Sequence, residues 1–161
     1  MIVDLLRNDI SKSALPHSVD VPRLCAPKSY ANVHHLVSSV VGRMDPARDN
    51  VDLLAGCFPG GSITGAPKLR AMEIIAELER VPRGAYCGAI GYVGFDGEMD
   101  VSIAIRIVSL VGREALFHAG GGVVLDSEPA REYEETIAKG WSLAAALTGA
   151  PERIFPEGRP R

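Results

Sequence analysis

The sequence predicts an α+β domain in which helices cover antiparallel sheets. Three observations predict it. Short runs rich in β-branched residues flank turn signals, and the sharpest is Asp96-Gly97, between residues 88–95 and 99–110. Two longer stretches, 66–80 and 127–147, carry apolar residues at helical spacing. The chain is 47% hydrophobic and 23% charged, which is the balance of a chain with a core to bury.

Residues 1–8 read as a helix, with Met1, Leu5 and Leu6 apolar against Asp4 and Arg7, and Asn8-Asp9 ends it. Residues 19–24 and 33–41 read as strands, the first weakened by Pro22. A short helix is expected over 46–56. Over 66–80, Arg70, Glu73, Glu77 and Arg80 mark a wet face, while Leu69, Met72, Ile75 and Leu78 are expected to face inward. After the Asp96-Gly97 hairpin, Gly112-Arg113 turns the chain into a strand over 115–119. The last helix spans 127–147, with Tyr133, Ile137, Trp141 and Ala144 on its apolar stripe. The folded domain is expected over 1–147, followed by a disordered tail over 148–161, rich in Pro, Gly and Arg. No internal repeat is visible.

Net charge is −3 and no basic stripe occurs, so no nucleic-acid partner is expected. No apolar run is long enough to span a bilayer, so no membrane partner is expected either. Cys25, Cys57 and Cys87 stand apart, with no Cys-x-x-Cys pair, which argues against a disulfide framework or a zinc ribbon. A cytoplasmic setting and buried, unreactive cysteines are the expectation.

The densest local signal is Pro59-Gly60-Gly61-Ser62-Ile63-Thr64-Gly65-Ala66-Pro67-Lys68, which runs straight into the 66–80 helix. Glycines let a ligand approach backbone N–H groups closely, and a helix start attracts anions. Ser62, Thr64 and Lys68 stand beside that start. On the last helix Glu132, Glu135 and Lys139 project from one stripe. Taken alone they read as a solvated face. Two carboxylates one turn apart are nevertheless a geometry that Mg²⁺ accepts. Gly120, Gly121 and Gly122 precede that helix, either as a tight turn or as backbone that a carboxylate can approach.

These segments, taken in order, resemble the chorismate-utilising enzymes. The resemblance rests on Met1-Ile-Val-Asp-Leu-Leu-Arg-Asn-Asp, Val33-His34-His35-Leu36-Val37-Ser38 and the 59–75 loop and helix. It continues through Tyr86-Cys87-Gly88-Ala89-Ile90-Gly91-Tyr92, Asp100 with Arg106, Ala119 to Ser127, and Glu132-Tyr133-Glu134-Glu135-Thr136. The Pro-Gly-Gly-Ser-Ile-Thr-Gly form is most similar to the aminodeoxychorismate synthase component I branch, with anthranilate synthase component I the runner-up.

The resemblance implies the C-terminal part of a two-sheet α/β sandwich, with antiparallel sheets covered by helices. It implies a Mg²⁺ site at Glu132 and Glu135, with Glu135 favoured as the direct ligand. Tyr86, Arg106, Lys139 and the backbone of Gly120, Gly121 and Gly122 would clamp a carboxylate of chorismate, with Ser62 and Thr64 in the same pocket. His35 would serve the departing hydroxyl, and His34 and Lys68 would be surface or packing groups. The implied partners are chorismate and a glutamine amidotransferase subunit supplying ammonia. The family's upstream lysine motif and two further acidic metal-site residues have no counterpart here. The chain is therefore expected to be a fragment, and a catalytically inactive chorismate-binding module is the alternative reading.

Overall fold

In a computed structural model, residues 2–30 and 34–157 are described. Met1, Val33 at the head of the second expected strand, and 158–161 lie outside the described residues. The chain divides into two compact units, one of Met1–Arg80 with Gly91–Asp100, the other of Val81–Ile90 with Val101–Arg161. All sheets are two-stranded and antiparallel where the register is given, and helices accompany them, so the fold is α+β as expected.

The first unit opens with helix α1 (Ile2–Ser11), followed by strands β1 (Asp20–Ser29) and β2 (His34–Val41). The two strands pair from Asp20↔Val41 to Ser29↔His34, with irregularities between Asp20 and Arg23 and between Arg23 and Ala26. Pro22 and Pro27 cannot donate to the ladder. Cys25 sits at φ 48° within the second irregularity, and its N–H donates to Ser38 Oγ (2.9 Å) instead of a strand carbonyl. This bulge lets β1 run to Ser29, past its expected end at residue 24. It also leaves the Cys25 side chain exposed, contrary to the expectation of a buried thiol.

Helix α2 (Asn50–Cys57) starts later than expected because Asp49 caps it. The Asp49 carboxylate accepts from the N–H groups of Val51 (2.8 Å) and Asp52 (2.9 Å), while Asp52 accepts from Asp49 N–H (3.1 Å). This reciprocal pair satisfies donors that the first helical turn leaves free. Helix α3 (Lys68–Leu78) begins just after Pro67, which is its cap residue rather than part of its first turn. Its expected inward face is only partly realised: Ile75 is half-buried, but Leu69 (77%) and Leu78 (74%) are exposed.

Strands β3 (Ala89–Val93) and β4 (Met99–Ile103) form the expected hairpin around Asp96-Gly97, closed by Gly94 N–H on Glu98 O (2.7 Å), with Gly97 at φ 87°. The single strand expected over 99–110 is two strands. A tight bond from Ile105 N–H to Ile103 O (2.9 Å) ends β4, and Arg106 then takes φ 53°. Strand β5 (Val108–Val111) follows and pairs with β6 (Glu114–Phe117) in register from Val108↔Phe117 to Val111↔Glu114.

Helix α4 (Pro129–Thr148) carries Pro129 at its start and Gly149 in the left-handed region (φ 66°) past its end. Ala144 is fully buried on its inner face and Gly140 is also buried. Within the segment expected to be a disordered tail, the described residues 151–157 lie beside α4. Pro151–Arg153 form a 3-10 helix, and Phe155 stacks on Trp141 with ring centroids 6.2 Å apart.

Among the described residues, no large side chain is fully buried, while Phe95, Leu125 and Val123 are 80% exposed or more. No described helix is long and apolar enough to cross a membrane.

Candidate functional site

The second unit gathers most of the expected site. The loop 118–128 leads from β6 to α4, and two of its glycines closely approach side chains. A Cβ on Gly120 would lie 3.2 Å from the Tyr86 hydroxyl, and one on Gly121 would lie 2.9 Å from Glu132 Oε2. Lys139, two helical turns beyond Glu132, donates to Gly120 O (3.1 Å) and pairs with Glu135 Oε1 (2.5 Å). One ammonium therefore joins α4 to the glycine loop. Nothing lies within 4 Å of a Cβ placed on Gly122.

The two glutamates differ. Glu132 Oε1 accepts from Ser127 Oγ (2.6 Å), while its Oε2 is buried with no hydrogen-bond partner among the described residues. Leaving a buried carboxylate oxygen bare is costly. Glu135 is more than half exposed, and its charge is met by Lys139. Among the described residues, no three His, Cys, Asp or Glu side chains gather around one point.

Tyr86 is half-buried, and its ring stacks on His118 (centroids 5.4 Å apart, planes 11° apart). Sequence reasoning passed over His118. The signal available was its position two residues before the glycines, at the start of the loop that carries them. Arg106 is exposed and makes no hydrogen bond or ion pair among the described residues. Its left-handed backbone is unusual for a side-chain-bearing residue, and such strain often accompanies a functional position.

The first unit holds Ser62, Thr64 and His35. Ser62 is exposed; Thr64 is half-buried and its hydroxyl donates to Gly60 O (3.2 Å). His35 is exposed on β2, opposite Lys28, with its ring edge-on to Tyr30 at 5.7 Å. His34 meets Ser29 Oγ (3.0 Å). No hydrogen bond joins His35 to Ser62 or Thr64 among the described residues. Lys68 is not a surface group: its ammonium lies 3.0 Å from the carboxylate of buried Asp9.

A family model described as chorismate binding enzyme matches residues 1–145. The chain belongs to the chorismate-binding enzymes. It is 53% identical over 139 residues to aminodeoxychorismate synthase component 1 of Salmonella typhimurium, covering 86% of this chain and 31% of that one. It is 45% identical over 152 residues to anthranilate synthase component 1 of Aquifex aeolicus, covering 94% of this chain and 31% of that one. Among solved structures, anthranilate synthase component I from Streptococcus pneumoniae superposes with a TM-score of 0.82 at 44% identity, over 89% of this chain and 33% of that one. The chain thus spans about a third of the length of these relatives.

Proposed function

We propose that this chain is the part of an aminodeoxychorismate synthase component 1 that holds the carboxylates of chorismate. The reaction aminates chorismate to 4-amino-4-deoxychorismate, with ammonia delivered by a glutamine amidotransferase partner. The observation that carries the reading is Glu132, whose buried Oε2 faces the glycine loop without a partner among the described residues. An oxygen so placed fits a hard cation, whose remaining positions would be filled by water or by a substrate carboxylate. Mg²⁺ bound there neutralises carboxylate charge. Ser127 orients the Glu132 carboxylate, a role that outer-shell hydrogen bonds commonly have at metal sites. Glu135, already paired, is the weaker ligand of the two.

The chain's own groups do the rest. Lys139 braces the glycine loop and adds a point charge, and Tyr86 offers a hydroxyl beside Gly120. The guanidinium of Arg106, exposed and without a partner among the described residues, suits bidentate recognition of a carboxylate. Ser62 and Thr64 contribute hydroxyls, and His35 serves the departing hydroxyl as an acid or a positioning donor. Support for aminodeoxychorismate over anthranilate comes from the higher identity to the Salmonella protein.

The test is a chimera in which this chain replaces the matching third of the Salmonella relative. With chorismate, ammonia and Mg²⁺ it should make aminodeoxychorismate, and Glu132→Gln should abolish the Mg²⁺-dependent turnover. Anthranilate as product would move the chain to the other branch. Chorismate binding without turnover would leave a binding module only.

A further inference from the structure

Helix α1 carries a stripe that touches the Gly-rich loop at both ends. Leu5 and Asp9 lie four residues apart and so share one face of the helix. Gly61, which is buried, sits against the first: a Cβ there would be 2.8 Å from Leu5 Cβ. Lys68, the residue on which α3 begins, meets the second, with Nζ 3.0 Å from Asp9 Oδ2. Asp9 is 2% exposed, and its other oxygen is taken by Lys12 Nζ (2.8 Å). Both ammonium groups also reach the last carbonyls of α2: Lys12 to Gly56 O (3.0 Å) and Lys68 to Cys57 O (3.4 Å). Cations are favoured at that end of a helix. The loop that bears Ser62 and Thr64 is therefore strung between two fixed points of α1.

We propose that Asp9 and Lys68 are positioning residues, and that with Leu5 and Gly61 they form a two-point clamp presenting Ser62 and Thr64 to substrate. This rests on the reading of those two hydroxyls as chorismate contacts. A fold that needed only stability could place apolar side chains here, because buried ion pairs are rarely more stabilising than well-packed hydrophobic groups. What the charged pair adds is direction: a buried carboxylate with both oxygens committed fixes where α3 can start. Thr64 Oγ1 and Ile63 N–H, both bonded to Gly60 O, then set the loop's internal shape.

The experiment is hydrogen exchange of the amides in 59–67 on the 161-residue chain, with melting temperature and chorismate affinity in Mg²⁺ measured alongside. Lys68→Met should speed loop exchange roughly tenfold or more, the scale expected for a lost charge-assisted bond, while β1 and β2 keep their protection. Lys68→Arg should restore it. The double variant Asp9→Asn with Lys68→Met, which removes the buried charge, should regain melting temperature without regaining loop protection. Gly61→Ala tests the other anchor with the charges intact and should release the loop in the same way.

Unchanged loop exchange in Lys68→Met and Gly61→Ala overturns the clamp. So does loop protection that returns together with melting temperature in the double variant, since the pair would then be merely structural. If the unaltered chain binds no chorismate, the substrate reading of Ser62 and Thr64 fails, and the exchange data judge the clamp on their own.

Discussion

Arg106 combines three properties that rarely coincide: a left-handed backbone, an exposed guanidinium and no partner among the described residues. A surface arginine retained only for solubility would not need such a backbone. In the chimera, Arg106→Ala should raise the KM for chorismate about tenfold or more, as expected when a charge-assisted bond is lost. Steady-state kinetics check this, and an unchanged KM removes Arg106 from the site. The cysteines divide at the same scale. Cys25 is exposed, whereas burial first, and then the Asp9 carboxylate, raise the Cys57 thiol above its ordinary 9.0. Its neutral form therefore favours the folded state below that value, and the contribution is lost as pH rises through the raised one. At mildly alkaline pH, iodoacetamide should label Cys25 well before Cys57, and peptide mass spectrometry reads the order.

At the scale of elements, Gly140 shows what close packing demands. A Cβ there would lie 2.9 Å from Phe155 Cζ and 3.5 Å from Phe117 Cε2, so α4, β6 and the returning tail meet at a residue without a side chain. Alanine would gain about 1 kcal/mol of helix propensity, and overpacking costs about 1–3 kcal/mol. Because Phe155 follows a short 3-10 turn rather than a long helix, it should yield before α4 does. We expect Gly140→Ala to leave α4 intact while trypsin cuts faster at Arg153; an unchanged rate would show that the tail tolerates the intrusion.

The same contact explains where the sequence was hard to read. The residues of the loop before α3 and the spacing on α4 announced themselves by pattern. The 3-10 turn over Pro151–Arg153 did not, since it goes with the contact of Phe155 on Trp141 in the preceding helix. Likewise the break at Arg106 follows from a γ-turn that no propensity signals. The Asp9–Lys68 pair was hidden because a lysine beside a glycine loop invites an anion, and its real partner is a carboxylate in another helix. Glu132 and Glu135 were visible as a pair, but which one lies buried depends on the loop that covers it.

For the molecule as a whole, exposed apolar side chains dominate: Leu24, Leu36 and Phe95 in the first unit and Leu110, Val123 and Leu125 in the second are each more than 60% exposed. Surfaces of this kind seek cover. Purified alone, the chain should self-associate on size exclusion and show no turnover of chorismate with ammonia and Mg²⁺, because it spans about a third of the length of the relatives it matches and groups that act together lose most of their rate when separated. A monodisperse monomer that makes product would refute this expectation.

Trp141 has one more consequence. It is the only tryptophan in the chain, and it sits under Phe155 in the second unit. Indole fluorescence thus reports from the second unit, whereas far-ultraviolet circular dichroism records helices in both. Superimposed denaturation curves from the two signals would mark one cooperative transition, and separated curves would mark two. We expect separation, with the optical probe that evolution placed on α4 reporting the melting of its own half alone.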